Sequence, residues 1–211
     1  MSEKKSNRGH LKGSNFATWG KRAPNILLGV SGGVAAYKAV DLASKLTAAG
    51  AKVNTLMTEN ACQLICPKSF EAVTGQPVYT SLWSTSEEYE IGHVDLAGRA
   101  DIVAVVPATA NIIGKLANGI CDDLLSTTLC ACWPLIKSGA ALLAPAMNDN
   151  MWSNPAVQHN IEIVIEMGFQ LIGPEEGRLA CGTEGIGRMS EPLDILKAIE
   201  KIASKIKRRK R

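Results

Sequence analysis

Apolar residues recur along this chain in two alternating rhythms. Short aliphatic runs at 25–30, 52–57, 102–106, 140–144 and 169–172 have the length and branching of buried strands. Between them, apolar residues return every three or four positions, as on one face of a helix, over 34–49, 60–73, 109–116, 122–133, 154–167 and 192–206. A short helix is expected at 93–99, ahead of the strand at 102–106. Residues 78–82 read as a short strand or extended loop, and 84–90 as polar loop. Gly50 closes the first helix, Pro192 opens the last, and Pro67 is placed to interrupt the helix at 60–73. Strand followed by helix, again and again, predicts one three-layer α/β domain over 25–206 with a mainly parallel sheet.

Composition adds limits. At 211 residues, 46% hydrophobic and 20% charged, the chain suits a single globular domain with an aliphatic core, aromatics being only 5%. No apolar run is long enough to span a bilayer, and no apolar h-region follows the basic start. A cytoplasmic protein without a membrane partner is expected. The net charge of +3 hides an uneven distribution: 1–24 carry +5, 193–211 carry +6, and the body between them is about −8. Residues 1–24 read as a disordered basic arm and 207–211 as a basic tail, while an acidic body argues against a nucleic-acid partner. None of the six cysteines forms a C-x-x-C pair, so no metal site is expected. Most of them should be small buried hydrophobes. Cys181 is the exception, because its neighbours are glycines and polar residues.

Candidate chemistry gathers where strands hand over to helices. Ser31-Gly32-Gly33-Val34 ends the first strand; glycines let a backbone approach a phosphate at a helix N-terminus. The spacing is neither G-x-G-x-x-G nor a P-loop, and such a turn can equally serve close packing. Pro107-Ala108-Thr109-Ala110-Asn111 is the matching turn of a later strand, where Thr109 can cap the helix or meet a phosphate. Two such turns favour a mononucleotide. FMN suits them better than NAD, because no acid stands where a ribose would need one. His93, at the start of its short helix, has the side chain suited to moving protons at neutral pH. His10 lies in the arm and His159 on a helix surface. Pro145-Ala146-Met147-Asn148-Asp149-Asn150-Met151-Trp152 follows an apolar strand, and Leu179 to Met189 form a glycine-rich segment bearing Cys181. A polar loop beside a mobile thiol-bearing one suggests an active site with a lid over 173–190. Asn148 can also be a simple turn residue.

Taken together, these motifs, with Gly92-His93-Val94-Asp95-Leu96 and the run from Gly114 to Leu125, resemble the homo-oligomeric flavin-containing cysteine decarboxylase family over about 25–200. The resemblance implies FMN and a Rossmann- or flavodoxin-like fold. It also implies a trimer or dodecamer with active sites between subunits, and phosphopantothenoylcysteine of coenzyme A biosynthesis as substrate. By motif position, His93 matches the catalytic histidine, Asn148 the carboxylate-binding asparagine and Cys181 the proton donor of the reductive step. Gly32, Gly33, Val34, Thr58, Thr109, Ala110, Asn111 and Ala146 fall where the family holds FMN. Arg178, Ala180 and Met189 fall in the segment over the substrate.

The implied chemistry is coherent. A cysteine carboxylate in amide linkage has no electron sink for the carbanion left by CO2, and oxidation of the thiol to a thioaldehyde creates one. The flavin carries that redox work. His93 would manage the thiol proton, a neutral Asn148 would hold the carboxylate without pinning its charge, and Cys181 would return a proton. Arg178 and Arg188 flank Cys181 and would anchor the lid to an acidic substrate rather than lower the thiol pKa. Gly182, Gly185 and Gly187 would give the lid freedom. Asp122 and Asp123 can simply cap the next helix. With no synthetase domain after the basic helix, a monofunctional decarboxylase is expected. Competing readings are an oxidative decarboxylase of a peptide C-terminal cysteine, which would not need Cys181, and a non-catalytic FMN-binding regulatory subunit.

Overall fold

A computed structural model describes residues 19, 23–83 and 92–206. Most of the basic arm, the 84–90 loop and the 207–211 tail lie outside the described residues. From Pro24 the chain runs through β1 (Asn25–Val30), α1 (Ala36–Ala48), β2 (Lys52–Met57), α2 (Glu59–Leu64), α3 (Pro67–Thr74) and β3 (Val78–Tyr79). It continues through α4 (His93–Arg99), β4 (Ile102–Ala108), α5 (Ala110–Ala117), α6 (Leu124–Ala131), α7 (Trp133–Lys137) and β5 (Ala141–Pro145). The last part holds α8 (Asp149–Trp152), α9 (Pro155–Met167), β6 (Phe169–Leu171), β7 (Glu175–Arg178), β8 (Glu184–Arg188) and α10 (Pro192–Lys205).

Six strands form one parallel sheet in the order β3-β2-β1-β4-β5-β6. That is the Rossmann order, so of the two topologies expected the flavodoxin one is set aside. Central strands β1 and β4 are apolar almost throughout because both of their faces are covered; every residue of β4 is buried. Helix α1 packs on α3 and α10, while α4 packs on α6, and α5 on α6 and α9. The chain builds outward from β1 to β3 and returns to β4 on the other side of β1. The carboxyl ends of β1 and β4 therefore diverge into different helices, and the gap between them is the ligand crevice of this architecture.

The interruption expected at Pro67 is there: 60–73 holds two helices, since Pro67 cannot continue α2 and instead starts α3 at its first turn. Other expectations change. The stretch 122–133 likewise divides into α6 and α7, with Pro134 in the first turn of the second. Trp19, inside the supposed arm, packs against the core. Only Cys132 is fully buried, and burial pushes its thiol up to about 12. Cys66, Cys121 and Cys130 are exposed, so the expectation of mostly buried thiols fails. Among the described residues, no helix is long and apolar enough to cross a membrane.

Asp123 does cap α6: it accepts from the Ser126 N–H at 2.7 Å, and Ser126 accepts from the Asp123 N–H at 3.2 Å, a reciprocal box. Lys115 grips Asp122 and Asp123 at 2.6 Å each, tying α5 to α6. Burial alone would raise the Asp123 pKa, but the bonds from Lys115 and Ser126 outweigh it and hold the carboxyl low. A group depressed in the folded state stabilises above its unfolded pKa and loses that contribution as pH falls through its folded value. Asp123→Ala is expected to destabilise by about 0.5–2 kcal/mol at neutral pH. The gap to the parent should shrink below a pH of about 4, as urea titrations at both pH values would show.

Candidate active site

Two strand-to-helix turns meet at the crevice. The Ser31 hydroxyl, buried at the end of β1, donates to the Pro107 carbonyl at 2.7 Å and accepts from the Thr109 N–H at 3.0 Å. It also lies 3.0 Å from the Thr109 hydroxyl, which in turn caps α5. Ser31 thus latches the β1 turn to the β4 turn, a role that its small polar side chain at a strand end hinted at but did not reveal. A Cβ on Gly33 would lie 3.2 Å from Thr109 Cγ2, and one on Gly32 would collide with Asn60. Both glycines are therefore needed for close approach, whatever they bind. Val34 is exposed, Ala110 is half-buried and Asn111 is exposed. Thr58 caps α2 through its hydroxyl and gives its N–H to Val30. Ala146 follows β5 and donates its N–H to Ala108.

On the other half of the same edge, the turn that follows β5 leads to Asn148, the N-cap of α8. Its Oδ1 accepts from the Asn150 N–H at 2.9 Å, which turns Nδ2 outward. That Nδ2 donates to the Cys181 sulfur at 3.3 Å. The turn reading of Asn148 holds, and the other end of the amide faces the thiol. Thr183, which sequence reasoning passed over, places its hydroxyl 3.0 Å from the same sulfur. The exposed Cys181 thiol is lowered from its ordinary pKa, first by the Thr183 hydroxyl, then by the Thr183 backbone N–H and the Asn148 amide. The flanking arginines are not among the causes.

The thiol-bearing segment is an antiparallel ribbon of β7 and β8 rather than an irregular loop. Its base is docked. The Met147 N–H donates to the Gly187 carbonyl at 3.0 Å, and a Cβ on Gly187 would strike the Met147 carbonyl oxygen. A Cβ on Gly185 would lie 2.9 Å from Asp149 Cβ. Gly187 thus admits the 147–148 backbone, and Gly185 the Asp149 side chain. Arg188 is likewise engaged: it pairs with Glu175 at 2.9 Å and reaches Glu191 at 3.8 Å, and Glu191 pairs with Lys38 of α1 at 2.8 Å. These pairs anchor the ribbon to the domain. Gly187→Ala is expected to destabilise by about 1–3 kcal/mol, or more, because backbone must give way. Thermal unfolding measures this, and an unchanged Tm would contradict the docking.

Other candidates stand apart. Arg178 is exposed opposite Glu184 in the ribbon register and makes no ion pair among the described residues. Ala180 is exposed at the ribbon tip. Met189 is 2% exposed, its side chain packed into the core at the foot of the ribbon. His93 is the first residue of α4, half-buried, on a helix that packs against β1 and α6. Among the described residues it makes no hydrogen bond to Asn148 or Cys181.

Comparison with known proteins decides the affiliation. The sequence pattern of the flavoprotein family matches residues 18–204. A solved PPC decarboxylase carrying a Cys-to-Ser substitution, complexed with pantothenoylaminoethenethiol, superposes with a TM-score of 0.75 at 32% identity, covering 87% of this chain and 100% of that one. The chain belongs to the flavoprotein family, among its flavin-containing cysteine decarboxylases. The FMN-binding protein AtHal3 shares this decarboxylase fold at 31% identity and a TM-score of 0.73, covering 89% of this chain and all of the other. The coenzyme A biosynthesis bifunctional protein CoaBC of Bacillus subtilis is 49% identical over 177 residues, 84% of this chain but 42% of its own length. This flavoprotein chain thus spans about two fifths of the curated relatives it matches.

Proposed function

We propose that this protein catalyses the FMN-dependent decarboxylation of 4'-phosphopantothenoylcysteine to 4'-phosphopantetheine in coenzyme A biosynthesis. The observation that carries the reading is the 3.3 Å bond from the Asn148 amide to the Cys181 sulfur. A carboxylate-holding donor and a proton-bearing thiol sit at one point, as a reaction that loses CO2 and then protonates carbon requires.

The crevice fits FMN. The N–H groups of Ala110 and Asn111, at the start of α5, have no partner among the described residues, and α1 begins without a side-chain cap. Free donors at helix N-termini are anion sites, and a phosphate monoester satisfies them. Gly32, Gly33, Val34, Thr58, Thr109, Ala110, Asn111 and Ala146 would hold the cofactor, with the Ser31 latch setting the two turns in register. When bound, the flavin supplies the two-electron chemistry that a cysteine carboxylate lacks.

The remaining work belongs to the chain. Asn148 Nδ2, fixed in direction by Asn150, binds the carboxylate with a neutral donor whose grip does not oppose charge loss. His93 takes the substrate thiol proton. Cys181 returns a proton to carbon. Arg178, the unpaired cation of the ribbon, and Ala180 cover the substrate, while Met189 supports them from the core. The complete site forms between copies in a trimer or dodecamer, a reading consistent with His93 making no bond to the Asn148–Cys181 pair among the described residues. Exposed Val34, Val94 and Met151 beside the candidate residues support such a contact. The enzyme is cytoplasmic, with no nucleic-acid or membrane partner.

The test is direct. Purified, flavin-loaded protein is incubated with phosphopantothenoylcysteine and the products are weighed. Loss of CO2 alone supports the reading. A product that has lost CO2 and two further hydrogens points to an oxidative decarboxylase, and an unconsumed substrate to a binding subunit.

A further inference from the structure

Two side chains converge on the Cys181 sulfur, and they differ in what they can do. The Asn148 Nδ2, at 3.3 Å, only donates. The Thr183 hydroxyl, 3.0 Å from the sulfur, both donates and accepts. The turn that presents it is closed on itself: the Leu179 N–H donates to the Thr183 carbonyl at 2.8 Å and the Gly182 N–H to the Leu179 carbonyl at 2.9 Å. Thr183 is therefore set against Cys181 by backbone geometry and not by chance rotamer. Nothing else among the described residues makes a bond to its hydroxyl, which leaves that group dedicated to the thiol.

We infer that Thr183 is a positioning residue for proton delivery by Cys181, its hydroxyl holding the thiol before transfer and the thiolate after it. This rests on the decarboxylase reading. In the step concerned, the Cys181 S–H bond breaks and a C–H bond forms at the ene-thiol carbon of the substrate. The sulfur keeps the electron pair as thiolate, and the hydride completing the reduction is the flavin's share. Before transfer the hydroxyl accepts the S–H and keeps it from wandering. After transfer the hydroxyl turns and donates, so that it and the Asn148 amide both face the new anion. The lowered pKa of Cys181, caused first by this hydroxyl, accords with that arrangement. Charged sulfur is where such bonds are strongest.

The experiment compares parent, Thr183→Val and Thr183→Ser proteins, all flavin-loaded. First, iodoacetamide labelling of Cys181 is followed against pH by mass spectrometry of the peptide that carries it, since Cys66, Cys121 and Cys130 are also exposed. The parent midpoint should fall below that of an unhindered free cysteine labelled under the same conditions. Valine should move it up, lowering labelling at pH 7 about tenfold, and serine should restore it. Second, in a single turnover with flavin-loaded protein in excess over phosphopantothenoylcysteine, valine should raise the ratio of ene-thiol to reduced product about tenfold, and serine should return the parent ratio. An unchanged labelling profile in Thr183→Val overturns the inference, as does a parental product ratio in that variant. Failure of the parent itself to consume substrate removes the decarboxylase reading and the proton-delivery role with it. In that event a shifted labelling profile still identifies Thr183 as the group that holds the thiol, so the two failures are told apart.

Discussion

Cys181→Ser is expected to halt the reaction after CO2 has left, with the ene-thiol accumulating and reduced product falling about 100-fold or more. A serine hydroxyl fits the same exposed place and keeps the Asn148 and Thr183 neighbours, so folding and carboxylate binding should survive. What it lacks is acidity: an alcohol gives up its proton far less readily than a thiol. The lowered pKa of Cys181 shows that the site favours loss of that proton. Product mass spectrometry after a single turnover reads the outcome. An unchanged yield of 4'-phosphopantetheine would remove Cys181 from proton delivery.

The second large effect is expected at His93. His93→Asn should lower turnover by about 10²–10⁴-fold, the range for loss of a positioned acid–base group. Flavin content should stay at parental levels, because the turns at 31–34 and 109–111 are built by other residues. The helix should also stay, since its N-cap is Gly92 and no side chain caps it. The discriminating measurement is anaerobic mixing with substrate: the parent flavin should bleach and the variant flavin remain yellow. Bleaching at the parental rate would show that the thiol proton leaves by another route. Mixing inactive His93→Asn with inactive Asn148→Asp chains adds a check on the shared site, because a site built between copies should regain part of its activity in mixed assemblies.

Much of this architecture was legible in residue order. Runs such as Ile26 to Val30 and Ile102 to Val106 are apolar without alternation, which only a strand covered on both faces tolerates, and the helices between them force parallel connections. The breaks at Pro67 and Pro134 were both readable, but only the first was read. The exposed thiols were misjudged because cysteine's average burial says nothing about a particular helix face: Cys130 and Cys132 sit two residues apart, and only the second faces inward. Glycine was the least readable residue. Gly187 suggests mobility in sequence, but in space it is where two backbones touch.

Sequence alone determined the class of fold, the strand-end turns and the residue types that chemistry needs, because periodicity and short motifs are local properties. Only the tertiary structure decided that Asn148 faces Cys181 across 33 positions of chain, that Thr183 joins them, and that Arg188 pairs with Glu175 and Glu191. Those outcomes depend on how the ribbon docks against the end of β5. That docking is set by backbone contacts between distant segments, which no local spacing encodes.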